Sequence, residues 1–155
     1  MLPGLLAAGP VELRRWRPSH LEPLMEAVAA SLPELRRWMA WAQTMPSEAE
    51  QLDVLRAGEA AFGAGAEWNF LLFTPGAETV LGGAGLHPRA GPESIEVGYW
   101  VRSDRTGLGY ATADKRAMGP VLVRMAKEGV ITKTGQFRPA RSSHGSAKAV
   151  WARSR

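Results

Sequence analysis

The stretch DRTGLGYAT, residues 104–112, places two glycines one residue apart behind a run of strand-forming residues, Ile95, Val97, Tyr99, Trp100 and Val101. A strand, a short polar link and a glycine-bearing loop that enters a helix together make an anion site. Glycine lets the backbone approach a ligand closely, and the first unpaired N–H groups of a helix point at a phosphate. The spacing alone is weak. A dinucleotide fold would need a third glycine within a βαβ unit, and a Walker loop would need Gly-Lys-Ser/Thr; neither pattern is present. There is no cysteine, and the histidines are His20, His87 and His144. Thiolate catalysis and a cysteine-ligated metal are therefore excluded, and no metal is expected.

The elements that must position this loop follow from periodicity and capping. VELRRWRP (11–18) alternates as a strand that ends at Pro18. SHLE (19–22) is a capping box for a helix carrying Leu21, Leu24, Met25 and Val28 on one face. A second box, SLPE (31–34), is expected to restart the chain as a short helix presenting Leu35, Trp38, Met39 and Trp41. A third, SEAE (47–50), opens a longer helix with Leu52, Leu55 and Phe62 facing inward. Three strands follow in EWNFLLFT (67–74), TVLGGAGLH (79–87) and SIEVGYWV (94–101), linked by the turns PGAE and PRAGPE. Helices followed by hairpin-linked strands predict an α/β (α+β) domain with a mixed, mostly antiparallel sheet.

The chain has 155 residues, 45% hydrophobic and 22% charged, the composition of a single folded domain. MLPGLLAAGP reads as a loose N-terminus without the features of a targeting segment, and no apolar run reaches spanning length. A cytoplasmic protein is expected. The formal charge of +4 divides unevenly: residues 1–101 sum to −5 and residues 102–155 to +9. From about Met118 the pattern weakens. Gly119 and Pro120 interrupt a possible helix, and the remainder is basic with few apolar residues.

GGAGLHPRAGPESIEVGYWVRSDRTGLGYATADKRA (82–117) resembles the centre of the GNAT superfamily of N-acetyltransferases, in its RimJ/RimL-type branch, and LRRWRPSHLEPLMEAVAASLPELRRWMAWA is similar to the start of that branch. The resemblance covers roughly residues 11–117 and implies transfer of an acetyl group from acetyl-CoA to a primary amine, either a protein N-terminal α-amine or a small-molecule amine. By position, the backbone of Thr106, Gly107, Leu108, Gly109, Tyr110, Ala111 and Thr112 would bind the pyrophosphate of acetyl-CoA. Thr106 stands where the family usually has Arg or Gln. Tyr99, Trp100 and Val101 would hold the pantetheine arm through the main chain and offer an N–H to the thioester oxygen. Attack by a neutral amine requires a proton acceptor. The resemblance puts Glu96 there, and desolvation within the strand would make it a stronger base. His87, across the hairpin, would orient the acceptor or relay a proton, or be a hydrogen-bonded strand end. Trp38 and Trp41 would wall the acceptor site, although Trp38 equally suits a core.

The C-terminal part departs from the family. PARSSHGSAKAVWARSR lacks the expected Asn-x-x-Ser helix start, no LGF strand follows, and the C-terminal strands are expected to be missing or altered. Residues 1–117 then form the acetyltransferase-like region, and residues 118–155 a basic divergent segment able to stay poorly ordered. A disrupted reading frame near residues 114–120, a shortened family member and a segment that binds something acidic are all compatible with it. The expected partners are acetyl-CoA and an amine acceptor, a ribosomal-protein N-terminus among the candidates, on a monomer or homodimer. Membrane and nucleic acid are not expected. The alternatives are a ribosome- or nucleic-acid-binding module that uses the basic segment, and an inactive acetyltransferase remnant with an impaired coenzyme cleft.

Overall fold

A computed structural model describes residues 2–8, 10–88, 96–108, 131–139 and 147–153. Its main sheet has five strands, β1 (Leu5–Ala8), β2 (Val11–Arg15), β3 (Trp68–Phe73), β4 (Val80–His87) and β5 (Glu96–Val101), in sequence order and all antiparallel. Two helices, α1 (Leu21–Trp38) and α2 (Glu48–Gly63), lie between β2 and β3 in the chain. The expected α/β architecture with a mostly antiparallel sheet is the one observed.

Burial follows the helical period. In α1 the buried positions are Leu24, Ala27, Val28, Ser31 and Leu35, and in α2 they are Gln51, Leu55, Gly58 and Phe62. Leu24, Ala27, Val28 and Leu55 form one core with Leu71, Phe73 and Val80 of the sheet, and Trp16, Leu21, Leu32 and Trp100 pack at its margin. Full burial of each such side chain contributes about 1.5–3 kcal/mol. Leu6, Leu13 and Leu72 lie side by side in register and are all buried. Phe62 meets Phe70 edge to face at 5.3 Å. Among the described residues no helix is long and apolar enough to cross a membrane.

Four local expectations change. The N-terminal stretch is a strand, because LLAA finds a ladder on β2 and Arg15 N–H donates to the Gly4 carbonyl at 2.8 Å. Ser19 does not cap α1; it sits in a 3-10 turn over Pro18–His20, and the cap position falls on His20 without a side-chain bond. Ser31 does not start a second helix, since α1 runs unbroken for 18 residues with Pro33 inside it. Pro33 is tolerated because it lies on the exposed face together with Ala29, whose carbonyl loses its helical partner on the solvent side. Trp41 accordingly belongs to a separate 3-10 turn, Ala40–Ala42. The third box is as expected: Glu50 N–H donates to Ser47 Oγ at 3.3 Å, and Ser47 N–H donates to Glu50 Oε2 at 2.8 Å.

In the C-terminal part, where strands were expected to be missing or altered, two are present. β6 (Ile131–Pro139) and β7 (Ala147–Arg153) pair antiparallel as a separate two-stranded sheet. A register irregularity between Lys133 and Phe137 breaks the period-2 pattern that would have marked β6.

His20 is 8% exposed, its ring is 5.2 Å from Phe73, and its Nδ1 is buried without a partner among the described residues. Burial, followed by the charge of Arg14, pushes its pKa below the ordinary 6.5. The unfolded chain therefore takes up a proton at a pH where the folded chain does not, so stability is complete above 6.5 and falls as pH drops through the folded value. Urea midpoints measured from pH 7.5 to pH 5 will fall for the parent chain and fall less for His20→Gln.

Candidate active site

The pairing of β4 with β5 sets the site. Opposite residues in an antiparallel pair share a face with Cβ atoms about 5 Å apart. His87 pairs with Glu96, Gly85 with Gly98, and Gly83 with Trp100, so these three rows fall on one face. Leu71 pairs with Gly83 on the same face, which is the one that carries the α1 and α2 core.

The glycine rows determine what is open. A Cβ on Gly85 would strike the His87 imidazole at Nε2 and come within 2.7 Å of Asn69 Oδ1, so the His87 ring lies over Gly85 beside Asn69. A Cβ on Gly83 would lie 2.6 Å from Trp100 Nε1, so the indole covers that row. A Cβ on Gly98 would meet nothing within 4 Å among the described residues. The Gly98 half of this row is thus open, between Glu96 and Trp100 on β5, while the Gly85 half lies under the His87 ring. At the indole end Trp41, half exposed, meets Trp100 with ring centroids 6.2 Å apart. A predicted acceptor-side residue and a predicted coenzyme-strand residue are brought together there.

His87 Nδ1 is 3.3 Å from Glu67 Oε2. The residues before and on β3 therefore contribute a carboxylate that the sequence reading missed. Its only signal was position: Glu67 precedes Trp68, which pairs with Leu86, one step from His87. A carboxylate at Nδ1 orients an imidazole and leaves Nε2 as the reactive nitrogen. Glu96 begins β5 and is exposed, so the desolvation expected of it is not found. The reason is its place at the strand end, where β5 has run beyond the helices' core. Tyr99 and Val101 are partly buried, and Tyr99 pairs with Ala84 on the face opposite Trp100. Among the described residues β5 pairs with β4.

The chain leaves β5 through Arg102 into a 3-10 turn spanning Ser103–Leu108, which includes Thr106, Gly107 and Leu108. Gly109, Tyr110, Ala111 and Thr112 lie outside the described residues. Trp38 is the last residue of α1. Sequence reasoning also missed the anchor of this turn. Arg102 is buried, with Nη2 donating to Glu26 Oε1 and Nε to Asp104 Oδ1, both at 2.7 Å. These bonds raise the Arg102 pKa and lower those of Glu26 and Asp104. Ser103 N–H donates to Ser31 Oγ at 3.0 Å, which explains a serine in the buried stripe of α1.

Residues 11–135 match the family model for the acetyltransferase (GNAT) domain. The chain belongs to that family, whose members are acetyl-CoA-dependent N-acetyltransferases. The match passes beyond Met118 into β6. Similar solved structures include RimL, the ribosomal L7/L12 α-N-protein acetyltransferase in complex with coenzyme A, at 16% identity and TM-score 0.69, with 97% of each chain covered. The microcin C7 self-immunity acetyltransferase MccE, in complex with acetyl-CoA and AMP, matches at 11% identity and TM-score 0.70, over 99% of this chain and 97% of that one. The ribosomal-protein-S5-alanine acetyltransferase from Vibrio fischeri matches at 11% and 0.66, over 97% and 94%. Identities this low establish the shared fold. No curated protein gives a significant match.

Adding a methyl separates the filled half of the Gly85–Gly98 row from the open half. Gly85→Ala will displace His87 or Asn69 and destabilise the chain by about 1–3 kcal/mol. Gly98→Ala will be neutral or stabilising by up to about 1 kcal/mol. Urea denaturation of the two variants beside the parent reads both.

Proposed function

We propose that the chain transfers the acetyl group of acetyl-CoA to a primary amine, with a protein N-terminal α-amine, such as that of a ribosomal protein, as the first candidate acceptor. A cytoplasmic location is part of this reading. The supporting observation is the register that sets Glu96 opposite His87 at one end of a half-open glycine row, while β5 runs at its other end into the turn bearing Thr106, Gly107 and Leu108.

The residues present suit the coenzyme. Main-chain groups of β5 suit the amides of a pantetheine arm, and the loop after it would supply backbone N–H groups for a pyrophosphate. When bound, acetyl-CoA supplies an acetyl group activated as a thioester. The protein's part is positioning and proton transfer. Tyr99, Trp100 and Val101 align the arm along β5, with a backbone N–H facing the oxygen on which negative charge grows. Gly98 leaves room for the amine, and Trp41 with Trp100 flanks it. Trp38, at the end of α1, belongs to the same wall in this reading.

Glu96 accepts the proton released as the amine attacks, directly or through one water. An exposed carboxylate does this by proximity and orientation. His87, oriented through Nδ1 by Glu67, holds the amine or relays its proton. Fold similarity to ribosomal-protein acetyltransferases favours an N-terminal amine over other acceptors.

The test follows release of coenzyme A thiol from acetyl-CoA in the presence of peptides with free N-termini and, separately, of small polyamines. Turnover with the peptides is expected. Glu96→Gln lowers kcat by about 100-fold. Acetyl-CoA binding without transfer to any amine would overturn the reading.

A further inference from the structure

We propose that Arg102 is a positioning residue that holds the turn Ser103–Leu108 in its binding shape by tying the entry of the turn to α1. The inference rests on the reading of Thr106, Gly107 and Leu108 as the start of the coenzyme loop.

The attachment is unusually dense for a strand exit. Arg102 N–H donates to the Leu81 carbonyl at 2.8 Å, which ends the β4–β5 ladder, and Arg105 N–H donates to the Arg102 carbonyl at 3.1 Å, which starts the turn. Between them the Arg102 side chain, 7% exposed, bonds Glu26 on α1 and Asp104 in the turn. Ser103 N–H bonds Ser31, one of the least exposed residues of α1. Arg102 and the first residue of the turn, Ser103, are therefore each bonded to a helix more than seventy positions away in the chain.

Arg102 is not itself placed to bind phosphate. Nε and Nη2 are committed to carboxylates, and Nη1 is buried, without a partner among the described residues. Two carboxylates around one guanidinium leave the cluster with a formal charge of −1, which would repel an anion rather than attract it. Its contribution is geometric. A loop that holds its binding shape only part of the time loses affinity in proportion to that fraction.

Charge and position therefore predict opposite outcomes for the removal of Glu26. Loss of a negative charge near the loop would tighten binding of the coenzyme by simple electrostatics, and loss of the tether would weaken it. The Glu26 side chain is 61% exposed, but its removal takes one of two carboxylates from a buried guanidinium, so urea denaturation of each variant accompanies the titration and binding is compared where the chain is folded.

The experiment is calorimetric titration of coenzyme A into the parent chain, Glu26→Ala and Glu26→Gln, with steady-state kinetics on each. We expect saturable binding by the parent and a Kd about tenfold weaker for Glu26→Ala, as for a loop correctly shaped about a tenth of the time. KM for acetyl-CoA rises in step while kcat stays within about twofold, a split that a general loss of structure would not give. Glu26→Gln, which keeps an acceptor oxygen, falls between the two. Equal or tighter binding by Glu26→Ala, with the parent binding normally, overturns the inference and leaves the coenzyme loop standing. Failure of the parent to bind overturns both.

Discussion

The backbone contact between β4 and β5 is the constraint on which the site depends. Gly82 makes it possible, because a Cβ there would run into the Trp100 carbonyl. Given that approach, the register follows residue by residue. Glu96 must face His87, Gly98 must face Gly85, and Trp100 must cover Gly83. One glycine-rich strand thus decides which position on β5 lies opposite His87, where the face stays open at Gly98, and where an indole covers it. It also decides where the chain leaves the sheet, at the level of Leu81.

α1 belongs to the same construction. Its buried stripe is apolar except for Ser31, and the exception lies where the strand exit touches the helix. A buried hydroxyl without a partner would be costly, and so would a buried Ser103 N–H, so each makes the other admissible. Arg102 extends the logic to charge: burial of the guanidinium is tolerated because two carboxylates meet it in good geometry. The helix that leads toward Trp38 and Trp41 is in this way fixed relative to the strand that leads into the turn with Thr106, Gly107 and Leu108.

Much of this frame was legible in the residues, and the misses have physical causes. The three central strands, the cap at Ser47 and the apolar stripes of both helices are local signals that tertiary structure reinforced. Ser31 misled because a serine followed by Pro and Glu has the chemistry of a helix start, and only the distant Ser103 amide shows what else it can bond. β1 was hidden because four residues gain a ladder only once β2 is beside them. Glu67 and Arg102 were invisible as site residues since their partners lie far off in sequence or across a strand. The basic composition after Met118 concealed β6 and β7, whose pairing is irregular in register. The family match to residue 135 also passes the point at which the resemblance was drawn to end.

The central claim is that β5 and the turn after it form the coenzyme side of an acetyltransferase cleft. Backbone amide NMR during titration with coenzyme A tests it most directly. The account predicts saturable shifts concentrated in residues 98–112, with the Trp100 indole N–H among them. Shifts confined to residues 118–155, or no saturable change anywhere, would contradict it.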